Sequence, residues 1–120
     1  MKKLRILIVE DDVMARMALE TILTEVAPVA VIVQRSVRGA ASILREKFDF
    51  AFLDTKVADG ETFGLAYALA ARGVPFAFMT DRDHEALPGA WTSHALLSKP
   101  PRRAAVRQAL LRAEDYSLVA

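Results

Sequence analysis

Short apolar runs rich in β-branched and aromatic residues alternate along this chain with longer stretches of helical periodicity, a pattern that few folds accommodate. A parallel strand covered on both faces reads as a continuous apolar run, and its parallel neighbour is reached only through a crossover, usually a helix. Five such units follow one another. The first strand is Leu4 to Val9; a helix from about Asp12 to Glu25 then places Met14, Ala18, Leu19, Ile22, Leu23 and Val26 on one buried face, and Pro28 closes the unit. The second strand is Val29 to Val33, with Ser36 as N-cap of a helix through Ala40, Ala41, Ile43 and Leu44. Phe50 to Leu53 is the third strand and stops at Asp54; a polar loop to Gly60 leads into a helix from about Glu61 to Arg72, ended by Gly73. The fourth strand is Phe76 to Met79 and the fifth Ala95 to Leu97. Between them, Asp81 to Ser93 contains Pro88-Gly89 and leaves room only for a short helix or a structured loop. A last helix is expected from Pro101, with Val106, Ala109, Leu110 and Ala113 turned inward.

At 120 residues the chain suits one domain, 1–120, with no room for a separate output domain. Hydrophobic residues make up 53% and charged residues 26%, enough apolar material for a packed core. Lys and Arg total 16 against 15 Asp and Glu, so the net charge of +1 exerts no long-range pull on nucleic acid or an anionic membrane. The absence of cysteine excludes disulfides, thiol catalysis and thiolate metal sites, and it fits a reducing compartment, so the cytoplasm is the expected location. The longest uncharged stretch, Ala86 to Ser98, falls short of the roughly 18 apolar residues of a membrane span. Met1-Lys2-Lys3-Leu4-Arg5 is basic, but the apolar run after it ends at Glu10 without a cleavage site, so it does not read as a signal peptide.

In an open parallel sheet, ligands bind outside the carboxyl ends of the strands, near the point where strand order reverses. Those ends carry Glu10, Asp11 and Asp12 after the first strand, Asp54 after the third, Thr80 and Asp81 after the fourth, and Ser98 and Lys99 after the fifth. The expected fold class is α/β: a flavodoxin-like three-layer sandwich with a five-stranded parallel sheet in order 2-1-3-4-5 and helices on both faces. That order makes the first and third strands neighbours and sets Asp54 beside Glu10 and Asp11. Two like charges about 4 Å apart repel by roughly 4 kcal/mol at an effective dielectric near 20, so a compensating cation is expected. Clustered carboxylates offer the hard oxygen ligands that Mg²⁺ prefers, and Lys99 offers a second, fixed positive charge. Asp54, ionised at neutral pH, suits attack on phosphorus, and the Thr80 hydroxyl suits donation to a phosphoryl oxygen.

With these residues in order, the chain resembles the receiver domain of bacterial two-component response regulators over nearly its whole length. The match lies in Ile6-Leu7-Ile8-Val9-Glu10-Asp11-Asp12, Phe52-Leu53-Asp54, Met79-Thr80 and Ser98-Lys99-Pro100. The resemblance implies a single-domain, chemotaxis-regulator-like protein of a phosphorelay, with Asp54 as phosphoacceptor. It further implies Mg²⁺ held directly by Asp11 and Asp54, by Glu10 mainly through water, and by the backbone carbonyl of Lys56. Thr80 would contact the phosphoryl group, Lys99 would pair with Asp54, and Pro100 would follow a cis peptide bond. A sensor histidine kinase or histidine phosphotransfer protein would be the donor. The output would be binding of a downstream target through the face from the fourth strand to the last helix, with no enzymatic turnover beyond self-phosphorylation and autodephosphorylation.

Several positions depart from the family pattern. Leu96 stands three residues before Lys99, where an aromatic ring is usual; Ala58 replaces a common proline, and Asp81 follows Thr80 where a small residue is common. Lys56 and Arg82, each two residues past a site residue, occupy positions that tune phosphoryl lifetime in the family. A degenerate receiver that binds partners without phosphorylation, or a small aspartyl-phosphate phosphohydrolase, are the competing readings; Lys56 stands where such hydrolases use a second Asp, which argues against the latter. Each residue also has a plainer reading. Asp54 alone would cap a loop, Asp12 sits where an N-cap belongs, and Thr80 and Lys99 alone would be ordinary strand-end and surface residues. His84 and His94 read as surface or loop residues, Trp91 as a packing residue unless exposed, and Arg102, Arg103, Arg107 and Arg112 as a solvated helix face.

Overall fold

Successive side chains of a strand point to opposite faces, and in this protein both faces are apolar and covered. The computed structural model describes residues 3–81, 87–91 and 96–119, without the side chains of residue 90 and residues 113–119. Strands β1 (Leu4–Val9), β2 (Val29–Gln34), β3 (Phe50–Asp54), β4 (Phe76–Thr80) and β5 (Leu96–Ser98) form one parallel sheet in the order 2-1-3-4-5. One face carries Leu7, Val9, Leu53, Phe76 and Phe78 against α2 (Val37–Ile43) and α3 (Phe63–Ala71). The other carries Ile6, Ile8, Phe50, Phe52, Met79 and Leu97 against α1 (Val13–Val26) and α4 (Arg103–Val119). This is the flavodoxin-like three-layer sandwich that the alternating runs predict. No helix of the described residues is long and apolar enough to cross a membrane.

The ladder continues beyond the last apolar side chain of several strands, because pairing needs only backbone groups. Glu10 N donates to Gln34 O at 3.0 Å, Thr55 N to Met79 O at 3.0 Å, and Lys99 N to Thr80 O at 2.9 Å. Strands β2, β3 and β4 therefore each run one residue further than their hydrophobic runs, and β5 occupies Leu96–Ser98.

Helix ends follow local chemistry. Asp12 caps α1 through Oδ1, which accepts from Ala15 N at 2.9 Å, and Ser36 caps α2 through Oγ, which accepts from Gly39 N at 2.9 Å. Gly73, at φ 72°, follows α3. Two expectations need correction. Met14 is 77% exposed: at about 100° per residue it lies roughly 140° round the helix from the buried Leu19, off the stripe of Leu19, Leu23 and the partly buried Ile22 and Val26. The last helix begins at Arg103, its hydrogen bonding opening with Val106 N to Arg102 O at 3.1 Å, so the buried Pro101 lies before it. Val106, Ala109 and Leu110 are buried as the spacing predicts, while the side chain of Ala113 lies outside the described residues. Arg103 forms an ion pair with Glu25 that ties the start of α4 to the last turn of α1, and Arg102, Arg107 and Arg112 are exposed.

The connection from β4 to β5 contributes a 3-10 turn at Gly89–Trp91. Trp91 is 5% exposed and packs among Tyr67, Phe76 and Phe78, with ring centroids at 4.8, 5.3 and 6.1 Å. It is a core residue of this face and not an exposed anchor. Arg82, His84, His94 and Ala95 lie outside the described residues.

Candidate functional site

Parallel strands all end on one edge of the sheet, so residues far apart in sequence meet there. The register pairs Val9 with Leu53, which makes Glu10 and Asp54 the next residues on adjacent strands, and pairs Asp54 with Met79 and Thr80 with Ser98. Glu10, Asp54 and Thr80 are all buried at 1%, 7% and 4% exposure, though they lie at strand ends. Asp11 is half-buried beside them, and one carboxylate oxygen from each of Glu10, Asp11 and Asp54 lies within 4.8 Å of the others.

Lys99 bridges the two buried carboxylates. Its Nζ donates to Asp54 Oδ2 at 2.7 Å and lies 2.5 Å from Glu10 Oε1. The Lys99–Pro100 peptide bond is cis, and Lys99 N is held by Thr80 O. Burial disfavours the charged ammonium, but hydrogen bonds to Asp54 and Glu10 and the charges of both outweigh it, so the Lys99 pKa is raised and the ammonium is secure. Glu10 moves the other way for a carboxylate. Burial pushes its pKa up to about 7, with the Asp54 carboxyl adding to the rise, against the opposing Lys99 ammonium and the Asp12 amide that donates to Oε2 at 3.2 Å. One lysine thus falls short of neutralising the cluster, which leaves room for a further positive charge.

The acidic trio fits a hard divalent cation. All its donors are carboxylate oxygens, two are strongly buried, and the one with the raised pKa stands to lose its proton when a cation arrives. The loop after Asp54 approaches from the side: Lys56 N donates to Asp54 Oδ1 at 3.3 Å, while the Lys56 side chain is exposed. The structure therefore brings Glu10, Asp11, Asp54, Thr80 and Lys99 to one place, with the Lys56 backbone alongside. Asp81 is exposed at its margin.

No family profile matches the chain, and no curated protein sequence does. Solved structures do match. SdrG from Sphingomonas melonis Fr1 is 30% identical over 95% of this chain and 99% of its own, with a TM-score of 0.80. The BeF3-activated conformation of SdrG from Pseudomonas melonis Fr1 is 33% identical over 95% and 98%, with a TM-score of 0.73. A CheY-like response regulator receiver domain protein from Methanospirillum hungatei JF-1, at 22% identity and a TM-score of 0.81, shares the fold over 99% of this chain and 100% of its own. The chain belongs to the response regulator receiver family.

Two residues of this receiver's site region escape a reading of the sequence. Thr62 is completely buried, and its hydroxyl donates to the backbone carbonyl of Asp54 at 2.5 Å while its amide donates to Thr55 O at 3.1 Å. Thr62 stands at the N-cap position of α3, but its side chain makes no cap bond and turns back to β3. Asp59 lies five residues after Asp54 in an exposed loop, yet its carboxylate accepts from Val37 N at 2.7 Å and Arg38 N at 3.0 Å. The acidic dipeptide Asp59-Gly60 signals a turn; nothing in it signals α2 as the partner. Leu96 of this receiver is 39% exposed, so the position that is usually aromatic holds a surface aliphatic side chain.

Proposed function

We propose that this receiver accepts a phosphoryl group on Asp54 from the phosphohistidine of a sensor kinase or phosphotransfer protein in the cytoplasm, and signals by changed binding to a target protein. The observation that carries this is the Lys99 ammonium held between Asp54 and Glu10 beside a carboxylate trio. A carboxylate oxygen of Asp54 attacks phosphorus; the P–O bond forms as the P–N bond breaks, and the imidazole leaves after taking up a proton. Glu10, Asp11, Asp54 and the Lys56 carbonyl are the groups that would hold Mg²⁺, which when bound offsets the charge of the phosphoryl oxygens. Lys99, already charged and oriented by Asp54, exchanges its carboxylate contact for a phosphoryl oxygen, and Thr80 donates its hydroxyl to another. The target would meet the face from β4 to α4, where Leu96 of β5 is 39% exposed and Leu111 of α4 is 49% exposed. A receiver that no longer accepts phosphate would have little reason to keep all five side chains together, and the exposed Lys56 does not suit a hydrolase's second acid.

Beryllofluoride with Mg²⁺, or acetyl phosphate with Mg²⁺, is expected to shift amide resonances around Asp54 and Thr80, and Asp54→Asn is expected to abolish the shifts. Unchanged spectra with both reagents would sink the proposal and leave the phosphorylation-independent binding module.

A further inference from the structure

The loop between Asp54 and α3 is held at two points. At its base, Thr62 binds back to Asp54 O and Thr55 O. Beyond that, Lys56–Val57 pair antiparallel with Gly60–Glu61, and Ala58 and Asp59 form the two-residue tip. Gly60 at φ 138° takes a backbone conformation that side-chain-bearing residues rarely adopt, which lets the chain reverse there. The tip is where Asp59 reaches across to α2.

The amides of a helix's first turn have no partner within the helix. Here they are divided between two caps. Ser36 Oγ takes Gly39 N at 2.9 Å, and Ala40 N begins the helical ladder on Ser36 O at 3.1 Å. Val37 N and Arg38 N go to Asp59 Oδ1 and Oδ2, one amide to each oxygen. A carboxylate gripped at both oxygens has little freedom left, and the same two amides hold its pKa below the usual carboxylate range. The helix it grips is itself anchored through the fully buried Ala40. Between the two points of attachment lies Lys56, whose amide already touches Asp54 Oδ1.

Resting on the function proposed above, we infer that Asp59 is a positioning residue: by holding the first-turn amides of α2 it fixes the loop that sets the Lys56 backbone against Asp54 at the cation site. A carboxylate serving only to cap α2 would affect stability without affecting the site. One acting only through its charge would not depend on the amides it binds.

Calorimetric titration of the full chain with Mg²⁺ separates these. Asp59→Ala is expected to weaken Mg²⁺ about tenfold, the low end for residues that orient a ligand. Asp59→Asn loses the same charge but keeps an oxygen for one amide, so its loss is expected to be smaller. Val37→Pro removes one donated N–H at the first helical position, where proline is tolerated, and leaves the Asp59 charge intact; a roughly threefold loss is expected. Circular dichroism and melting of each variant show that it is folded. Wild-type affinity in both Asp59→Ala and Val37→Pro would overturn the inference, as would equal losses in the two Asp59 variants with none in Val37→Pro. Failure of the wild type to bind Mg²⁺ is a separate result, which would remove the metal reading and the inference with it.

Discussion

Glu10 is the residue on which the electrostatics of the site turn. It is almost wholly buried, shares one lysine with Asp54, and has its pKa pushed up to about 7 by burial first and by Asp54 next. A carboxylate whose folded pKa exceeds its unfolded value favours folding below the unfolded value, and that contribution is lost as pH rises through the folded one. Without a divalent cation, ionised Glu10 therefore destabilises the fold near and above pH 7 and is harmless near pH 5. In urea unfolding with chelator, Glu10→Gln is expected to gain about 1–2 kcal/mol at pH 8 and almost nothing at pH 5. An equal gain at both pH values would refute this account. The role of Glu10 as a carboxylate at a strand end is plain in the sequence. That it shares Lys99 with Asp54 is not, since Lys99 lies 45 residues beyond Asp54 and its reach depends on where β5 docks.

At the scale of elements, the β4–β5 connection contrasts with the rest. Strands β1 and β3 stand almost where their apolar runs place them, because the buried residues 6–9 and 50–53 are covered on both faces and read as continuous apolar runs. Between β4 and β5 the sequence offers proline, glycine and one tryptophan, and only packing shows that Trp91 fills the space over Phe76 and Phe78 beside Tyr67. Trp91→Ala is expected to cost about 3 kcal/mol in denaturant unfolding, as emptying a buried aromatic position does. Trp91→Phe, which keeps a ring in the cluster, should cost much less. Near-wild-type stability in the alanine variant would mean that the turn packs weakly. Met14 shows the opposite limit of sequence patterns: it is apolar, yet it lies roughly 140° round α1 from the buried Leu19 and stays in solvent.

For the whole molecule, the sheet order brings the ends of β1, β3, β4 and β5 together, so ligand binding and global stability are linked. A cation that binds only the folded state stabilises it by an amount set by its concentration relative to Kd. With Mg²⁺ at about ten times its Kd, the gain is expected to be about 1.4 kcal/mol, read as a rise in melting temperature that chelator reverses. Asp54→Asn should reduce the rise, and a wild-type melting curve that ignores Mg²⁺ would argue that the trio of carboxylates does not act as a metal site.

Local sequence was enough for the strand runs, the caps at Asp12 and Ser36, the turn at Gly73 and the polar residues at the strand ends, because each follows from its own side chain and near neighbours. The same reasoning reached the parallel order, since alternating strands and helices leave few ways to cover a sheet on both faces. Only the tertiary structure decided that Lys99 lies between two carboxylates, that Thr62 gives up a helix cap to hold Asp54, that Asp59 takes amides from α2, and that Trp91 is buried. These contacts join residues from 8 positions apart, Thr62 and Asp54, to 89 apart, Lys99 and Glu10. They depend on how elements dock, which is settled by the packing of the whole core and leaves no mark in the neighbouring residues.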